Sequence, residues 1–361
     1  MTTIGILGAG QLGRMLALAG YPLGMRFRFL DPASDSPAGL LADHFVFDYS
    51  EESALKQFAR GLDVITYEFE NVPVKTARFL EEFIPVYPPP IALEKAQDRL
   101  VEKSFFCELG IPTPKFTTDF ENGQMDKIGF PAVLKIRHMG YDGKGQVVVR
   151  SETDLKVELK NGNKDELILE EFISFERELS LIGVRNRAGD MKFYPLVENH
   201  HREGILRLSL VTGKVSSGLQ KQAEEYATKV MSALHYAGVL TIEFFEKDGC
   251  LLANEMAPRV HNSGHWTIEG AVTSQFENHV RAVSDSPLGS TKRFGVCAML
   301  NLVGDFPDAK SILKIDGAHL HLYDKAPRPK RKIGHVTLVE QDMETLMRKL
   351  GFLKEIVDVP G

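Results

Sequence analysis

The short apolar run Ile4 to Leu7 breaks at Gly8-Ala9-Gly10-Gln11-Leu12-Gly13 and continues as Arg14-Met15-Leu16-Ala17-Leu18-Ala19, a segment of helical composition. Strand, glycine turn and helix in that order restrict the chain's start to the opening of a βαβ unit, and hence to an α/β domain with a parallel sheet. Glycines let the backbone turn tightly, and unpaired N–H groups at the start of a helix attract an anion. Asp31 closes the next apparent strand, about where a dinucleotide fold places its ribose-binding acid. Taken alone, the segment reads as a nicotinamide dinucleotide site. A purely structural turn and capture of a substrate phosphate are the other uses open to it.

Composition narrows the class. A chain of 361 residues with 43% hydrophobic content can bury a large core in two or three domains. Its net charge of −6 argues against a nucleic-acid binder, which needs a basic face. No apolar stretch approaches the roughly 18 residues of a membrane span. Cys107, Cys250 and Cys297 are widely spaced, so neither a disulfide framework nor a zinc site is indicated, and the expected location is the reducing cytoplasm. No signal-like segment opens the sequence.

Further along, His44 to Phe47 and Val64 to Tyr67 read as short strands of the parallel sheet. Glu68 and Glu70 follow on a loop, either as substrate contacts or as solvated carboxylates. The stiff IPVYPPP run ends the first domain. Helical composition spans Ile91 to Leu109, and Gly110-Ile111-Pro112 terminates it. Pro131 to Lys135 reads as a strand that projects an ammonium from a rigid element. Met139 to Gln146 is then a glycine-rich loop leading into the strand Val147 to Val149. It lacks the spacing of a Walker A loop, but a hairpin tip of this kind can fold over a triphosphate. Leu167 to Ile173 reads as a strand crossing between two lobes, and Glu178 beyond it suits a ribose contact.

Asn254 to Trp266, NEMAPRVHNSGHW, concentrates the chemistry. Asn254 and Glu255 offer oxygen to a hard cation, while Arg259, His261, Asn262 and Ser263 offer donors to an anion. Glu243, on the apolar strand LTIEFF, supplies a second carboxylate.

Lys135, the GYDGKGQ loop, EEFI, Glu243 and the Asn254-Glu255 pair resemble, in order and spacing, the ATP-grasp superfamily of carboxylate-amine ligases. Within it, GAGQLGRM, FYPLVENHHREGILR, NEMAPRVHNSGHWT and YDKAPRPKRKIGHV are similar to the N5-carboxyaminoimidazole ribonucleotide synthetases across essentially the whole chain. The resemblance implies joining of ATP, bicarbonate and 5-aminoimidazole ribonucleotide through carboxyphosphate. It implies ATP contacts at Arg99, Lys135, Gly140, Tyr141, Asp142, Gly143, Lys144, Gly145, Gln146, Glu170, Glu171, Phe172, Ile173, Glu178, His201, Asn254 and Glu255. Two Mg²⁺ ions, replaceable by Mn²⁺, would be held by Glu243 and Glu255. Substrate contacts would fall on Gln11, Leu12, Glu68, Tyr141, Asp142, Lys325, Arg331 and Lys332, and the reacting centre would lie by Arg259, His261, Asn262 and Ser263.

The expected fold is three-domain α/β: a doubly wound domain at 1–92, an ATP-grasp domain at 93–292 with its lid at about 115–175, and a small β-rich domain at 293–361. A homodimer is expected, with neither nucleic acid nor membrane as partner. The rival functions are a nicotinamide oxidoreductase using Gly8 to Gly13 and Asp31, a silent nucleotide-binding regulator, and a related ligase such as the formate-dependent glycinamide ribonucleotide transformylase.

Overall fold

The computed structural model describes residues 1–121, 125–140 and 144–357, and its three sheets follow one another along the chain. Strands Asp43–Phe45, Arg26–Leu30, Thr3–Leu7 and Val64–Tyr67 lie side by side in that order, all parallel. Every residue of Val64–Tyr67 is buried, as a parallel strand covered on both faces requires. The Gln11–Gly20 helix turns Leu12, Met15 and Leu16 inward. Because the first strand lies between the second and the fourth, connections leave it in opposite directions. A crevice opens there at the strands' carboxyl ends, where such sheets bind ligands.

The helical stretch expected over Ile91 to Leu109 is two helices, Pro90–Ala96 and Arg99–Glu108. Asp98 separates them: it is extended, and its side chain accepts from the Leu100 N–H, which starts the second helix. The lid is a four-stranded sheet in the order Phe116–Thr117, Leu167–Glu171, Ala132–Ile136, Gln146–Val149. The last two form the expected hairpin, with Lys135 opposite Gln146.

The body is a nine-stranded sheet running from Cys250–Ala257 through Gly238–Lys247, Arg177–Arg185, Val197–Arg202 and Ile205–Val211. It continues without a break into Val296–Val303, Lys332–Glu340 and Ala318–Leu322. The C-terminal β-rich segment is therefore joined edge to edge to the body. Its outer helix, Met343–Val357, packs Leu346, Leu350 and Leu353 inward, the stripe that a period near 3.6 produces. Among the described residues no helix is long and apolar enough to cross a membrane.

His279 ties the first domain to the body. Its Nδ1 accepts the Val239 N–H at 3.1 Å, so the ring proton sits on Nε2, 2.8 Å from Thr66 Oγ1. Burial brings its pKa from 6.5 down to about 3. Below pH 6.5 the unfolded chain takes up a proton that the native chain refuses, so stability falls as pH drops across that window. His279→Asn keeps an acceptor for Val239 but cannot titrate. Urea unfolding free energies at about pH 7.5 and 4.5 are expected to show a loss smaller in this variant than in the parent, by about 3 kcal/mol. Equal losses would mean that His279 is not the group responsible.

Candidate active site

Glu243 and Glu255 stand directly opposite each other on the antiparallel Gly238–Lys247 and Cys250–Ala257 strands, beside an irregularity after Glu243. Like charges at opposed positions repel, so the pair needs cations. Arg99 Nη1 lies 3.0 Å from Glu255 Oε2, and His261 Nε2 lies 3.4 Å from Glu243 Oε1. Burial and the Glu255 charge push Glu243 up to about 7. Burial also opposes the charge on Glu255, but Arg99 and Lys135 hold it below the usual carboxylate range. Next to it, Asn254 Oδ1 is buried with no hydrogen-bond partner among the described residues.

The Arg99–Glu108 helix aligns three ionisable groups, Arg99, Glu102 and Lys103, at the spacing that puts side chains on one face. Glu102 accepts the Met256 N–H at 2.6 Å, and burial beside Glu255 pushes it up to about 8. Lys103 is fully buried. Its Nζ lies 3.1 Å from Glu170 Oε2 and donates to Asn254 O at 3.1 Å. Lys135, from the lid, reaches the same Glu170 oxygen at 2.9 Å. Burial works against the Glu170 charge, yet the two ammonium groups bring its pKa down to about 2. Glu170 and Lys103 together thus join the lid, the helix and the strand of Asn254.

Other expected nucleotide residues scatter around this junction. Gly140 lies over Arg99: a Cβ there would come within 3.3 Å of Arg99 Nη2. Gly145 (φ 71°) offers its carbonyl to Ile136 N–H at 2.8 Å, while Lys144 and Gln146 are exposed at the hairpin end. Tyr141, Asp142 and Gly143 lie outside the described residues. Glu171 turns away and accepts the Lys115 N–H at 3.3 Å. Phe172 is exposed and Ile173 is buried. Glu178 Oε2 lies 2.8 Å from His201 Nδ1, and although burial disfavours the imidazolium, this hydrogen bond raises the His201 pKa.

The segment after Glu255 is clamped rather than loose. Arg259 pairs with Glu70, whose own charge is held at a pKa of about 2 against the pull of burial. Gln275 brackets His261, accepting its N–H at 3.0 Å and donating to its carbonyl at 2.6 Å. Asn262 and Asn301 exchange amide hydrogen bonds of 2.9 and 2.7 Å. Ser263 is fully buried and meets His261 Nδ1 at 2.9 Å. Of the four residues expected at the reacting centre, Arg259 and His261 meet acids of the site, Ser263 supports His261, and Asn262 binds Asn301.

In the first domain the glycine turn is occupied by the protein itself. Ala9 N–H donates to Asp31 Oδ2 at 3.0 Å, Gly10 N–H to Glu68 Oε1, and Gly13 N–H to Glu68 Oε2 at 2.6 Å. A carboxylate sits where a dinucleotide phosphate would have to sit, and Asp31 is turned to the loop, which removes the oxidoreductase reading. Side chains at Gly8 or Gly10 would collide with Glu68. Glu68 and Glu70 are therefore not solvated loop acids. Gln11 and Leu12 form the first turn of the helix above Glu68, with Leu12 buried. From the C-terminal segment, Lys325 acts on Glu68, and Lys332 acts on Glu243 and His261. Arg331 instead donates to Ala326 O at 3.1 Å.

Sequence reading missed Lys103 and Glu102, which look like a solvated helix face, and it missed Gln275 and Asn301, which carry no motif. The only signal for the first two was their alignment with Arg99. A cavity of about 560 Å³, between the end of that helix and the lid and lined by Cys107, Pro112 and Phe116, contains none of these carboxylates. The charged groups, rather than the cavity, define the site.

Family models match three successive stretches of the chain. A ribonucleotide synthetase preATP-grasp domain matches residues 1–97, an ATP-grasp domain matches 104–276, and a phosphoribosylaminoimidazole carboxylase C-terminal domain matches 297–349. The N5-carboxyaminoimidazole ribonucleotide synthase of Pseudomonas aeruginosa is 50% identical, over 98% of this chain and 99% of its own. The crystal structure of the N5-carboxyaminoimidazole ribonucleotide synthetase from Thermus thermophilus superposes with a TM-score of 0.95 at 55% identity, covering 99% of each chain. An Aspergillus clavatus N5-carboxyaminoimidazole synthase in complex with ADP and 5-aminoimidazole ribonucleotide gives a TM-score of 0.90 at 31% identity, covering 99% of this chain and 98% of its own. With such identity over nearly the full length of both chains, the chain belongs to the N5-carboxyaminoimidazole ribonucleotide synthase family.

Proposed function

We propose that the site carries out ATP-dependent carboxylation of 5-aminoimidazole ribonucleotide by bicarbonate, giving N5-carboxyaminoimidazole ribonucleotide, ADP and phosphate in purine synthesis. The observation that carries the reading is the opposed Glu243 and Glu255 pair facing Arg99 and Lys135. Bicarbonate is a poor electrophile. Its oxygen must first take the γ-phosphoryl group of ATP, giving carboxyphosphate, whose breakdown delivers CO₂ beside the substrate amine in a closed site.

An all-oxygen set of Glu243, Glu255 and the unpartnered Asn254 Oδ1 fits a hard cation, and these residues would hold Mg²⁺ or Mn²⁺. When bound, the cation neutralises phosphate charge during transfer. Lys135 and Arg99 add positive charge from the lid and the helix, and Gly140, Lys144, Gly145 and Gln146 offer backbone and side-chain donors to the phosphates. Glu178 and His201 lie toward the ribose. Arg259, anchored by Glu70, steadies carboxyphosphate. Lys325, Arg331 and Lys332 supply cations for the ribonucleotide phosphate, with Gln11, Leu12 and Glu68 on its other side. The same reading carries a cytoplasmic homodimer, and light scattering of the purified protein measures the assembly.

The test is ADP release with Mg²⁺ and ATP, comparing bicarbonate alone, the aminoimidazole nucleotide alone, and both, with formate plus glycinamide ribonucleotide as the control. Release is expected to need the aminoimidazole nucleotide and to rise with bicarbonate. Preference for formate with glycinamide ribonucleotide would replace this reading with the transformylase one.

A further inference from the structure

Behind His261 runs a line of buried polar side chains on three adjacent body strands. Ser209 Oγ lies 2.8 Å from Asn199 Oδ1, Asn199 Nδ2 lies 2.9 Å from Ser180 Oγ, and Ser180 Oγ lies 2.7 Å from Ser263 Oγ, which meets His261 Nδ1 at 2.9 Å. Hydroxyls and amides can point either way, so these distances alone do not orient the line. One bond does. The backbone N–H of Ser263 donates to the same His261 Nδ1 at 3.3 Å, and a peptide N–H cannot reverse.

Nδ1 is therefore the bare nitrogen, and every other direction follows. The Ser263 hydroxyl gives its proton to Nδ1, so Ser263 Oγ accepts from Ser180. Ser180 Oγ then accepts from the Asn199 amide nitrogen, and Asn199 Oδ1 accepts from Ser209. We infer that Ser263, Ser180, Asn199 and Ser209 are positioning residues that, together with the Ser263 backbone N–H, hold His261 as the tautomer with its proton on Nε2, so that an N–H, and not a lone pair, faces Glu243 and the reacting centre. His261 then donates a hydrogen bond to an oxyanion formed there and does not take the proton of the substrate amine. The meaning for catalysis rests on the reaction proposed above, but the tautomer itself does not.

The decisive measurement is long-range ¹H–¹⁵N correlation on the purified protein labelled at histidine nitrogens, near pH 7.5 and without substrate. His261 is assigned by the signals lost in His261→Gln. The expected pattern is a protonated Nε2 with an unprotonated Nδ1. A protonated Nδ1, alone or together with Nε2, would overturn the inference whatever the ADP assay shows. Asn199→Asp keeps the shape but offers only acceptors, which draws the Ser180 proton toward residue 199 and lets the Ser263 hydroxyl turn to Ser180. Its expected effects are a shift of the Nδ1 signal, because that nitrogen keeps only the Ser263 backbone N–H as a donor, and a fall in kcat of roughly 10- to 100-fold, with KM for ATP unchanged. Ser180→Ala cuts the line without adding charge, and it covers the case in which the first variant does not fold. It is expected to lower kcat severalfold, again at constant KM for ATP. Unchanged kcat in a folded variant would show that the line does no positioning.

Discussion

Glu255→Gln is expected to lower kcat/KM for ATP by about 10³-fold while leaving the fold intact. The substitution keeps the shape of the side chain and removes one of two charges at opposed positions on neighbouring strands. Relief of that repulsion offsets what Arg99 loses when its 3.0 Å partner is neutralised. Without the Glu255 charge, Glu243 returns toward ordinary carboxylate behaviour, since that neighbour helps to raise it. It cannot supply two charges on its own. Steady-state ADP release over a Mg²⁺ titration, with a thermal melt of the same sample, separates lost chemistry from lost structure. Near-parental turnover with an unshifted Mg²⁺ dependence would mean that Glu255 is not a metal ligand.

The largest stability effect is expected from Glu170→Gln. Lys103, which is fully buried, and Lys135 both pair with Glu170 Oε2. Neutralising the one carboxylate leaves two ammonium groups facing each other in a poorly solvated junction. Breaking a buried pair in this way costs about 3–5 kcal/mol. The carboxyl titrates at about 2 in the folded chain against an ordinary 4.5, so its contribution is fully present above pH 4.5 and is lost as pH falls from there toward 2. Urea unfolding at neutral pH measures the loss. The double variant Lys103→Met with Glu170→Leu removes one charge of each sign and is expected to recover much of the stability. It should not recover affinity for a non-hydrolysable ATP analogue in calorimetry. A Glu170→Gln protein as stable as the parent would show that water or bound ions already screen the two lysines.

Much of the fold was legible from residues 4 to 19, because strand and helix are encoded by periods of a few residues and glycine marks the turn between them. Val64–Tyr67 appears as a strand for the same reason: a parallel strand buried on both faces is a continuous apolar run. The division of the helical stretch at Asp98 was harder to read. Asp98 is both an ordinary polar residue in a helical composition and a cap, and only its extended backbone decides between the two. The glycine turn was ambiguous in another way. Its sequence matches a dinucleotide site, but the anion at the helix start is Glu68, delivered by a strand far along the chain.

The sequence by itself determined the element types, the α/β class and the family, and it offered the groups proposed to bind phosphate and metal. All of these depend on residue type and local spacing, which survive without coordinates. Tertiary structure alone decided which charges meet. Arg259 pairs with Glu70 across 189 positions, Arg99 with Glu255 across 156, and Met256 donates to Glu102 across 154. No local period links such residues. Their pairing, and with it the shifted ionisation of Glu243, Glu102 and Glu170, arises because burial removes water from all of them together and leaves each charge to be stabilised by whichever neighbour the packed sheets bring within a few ångströms.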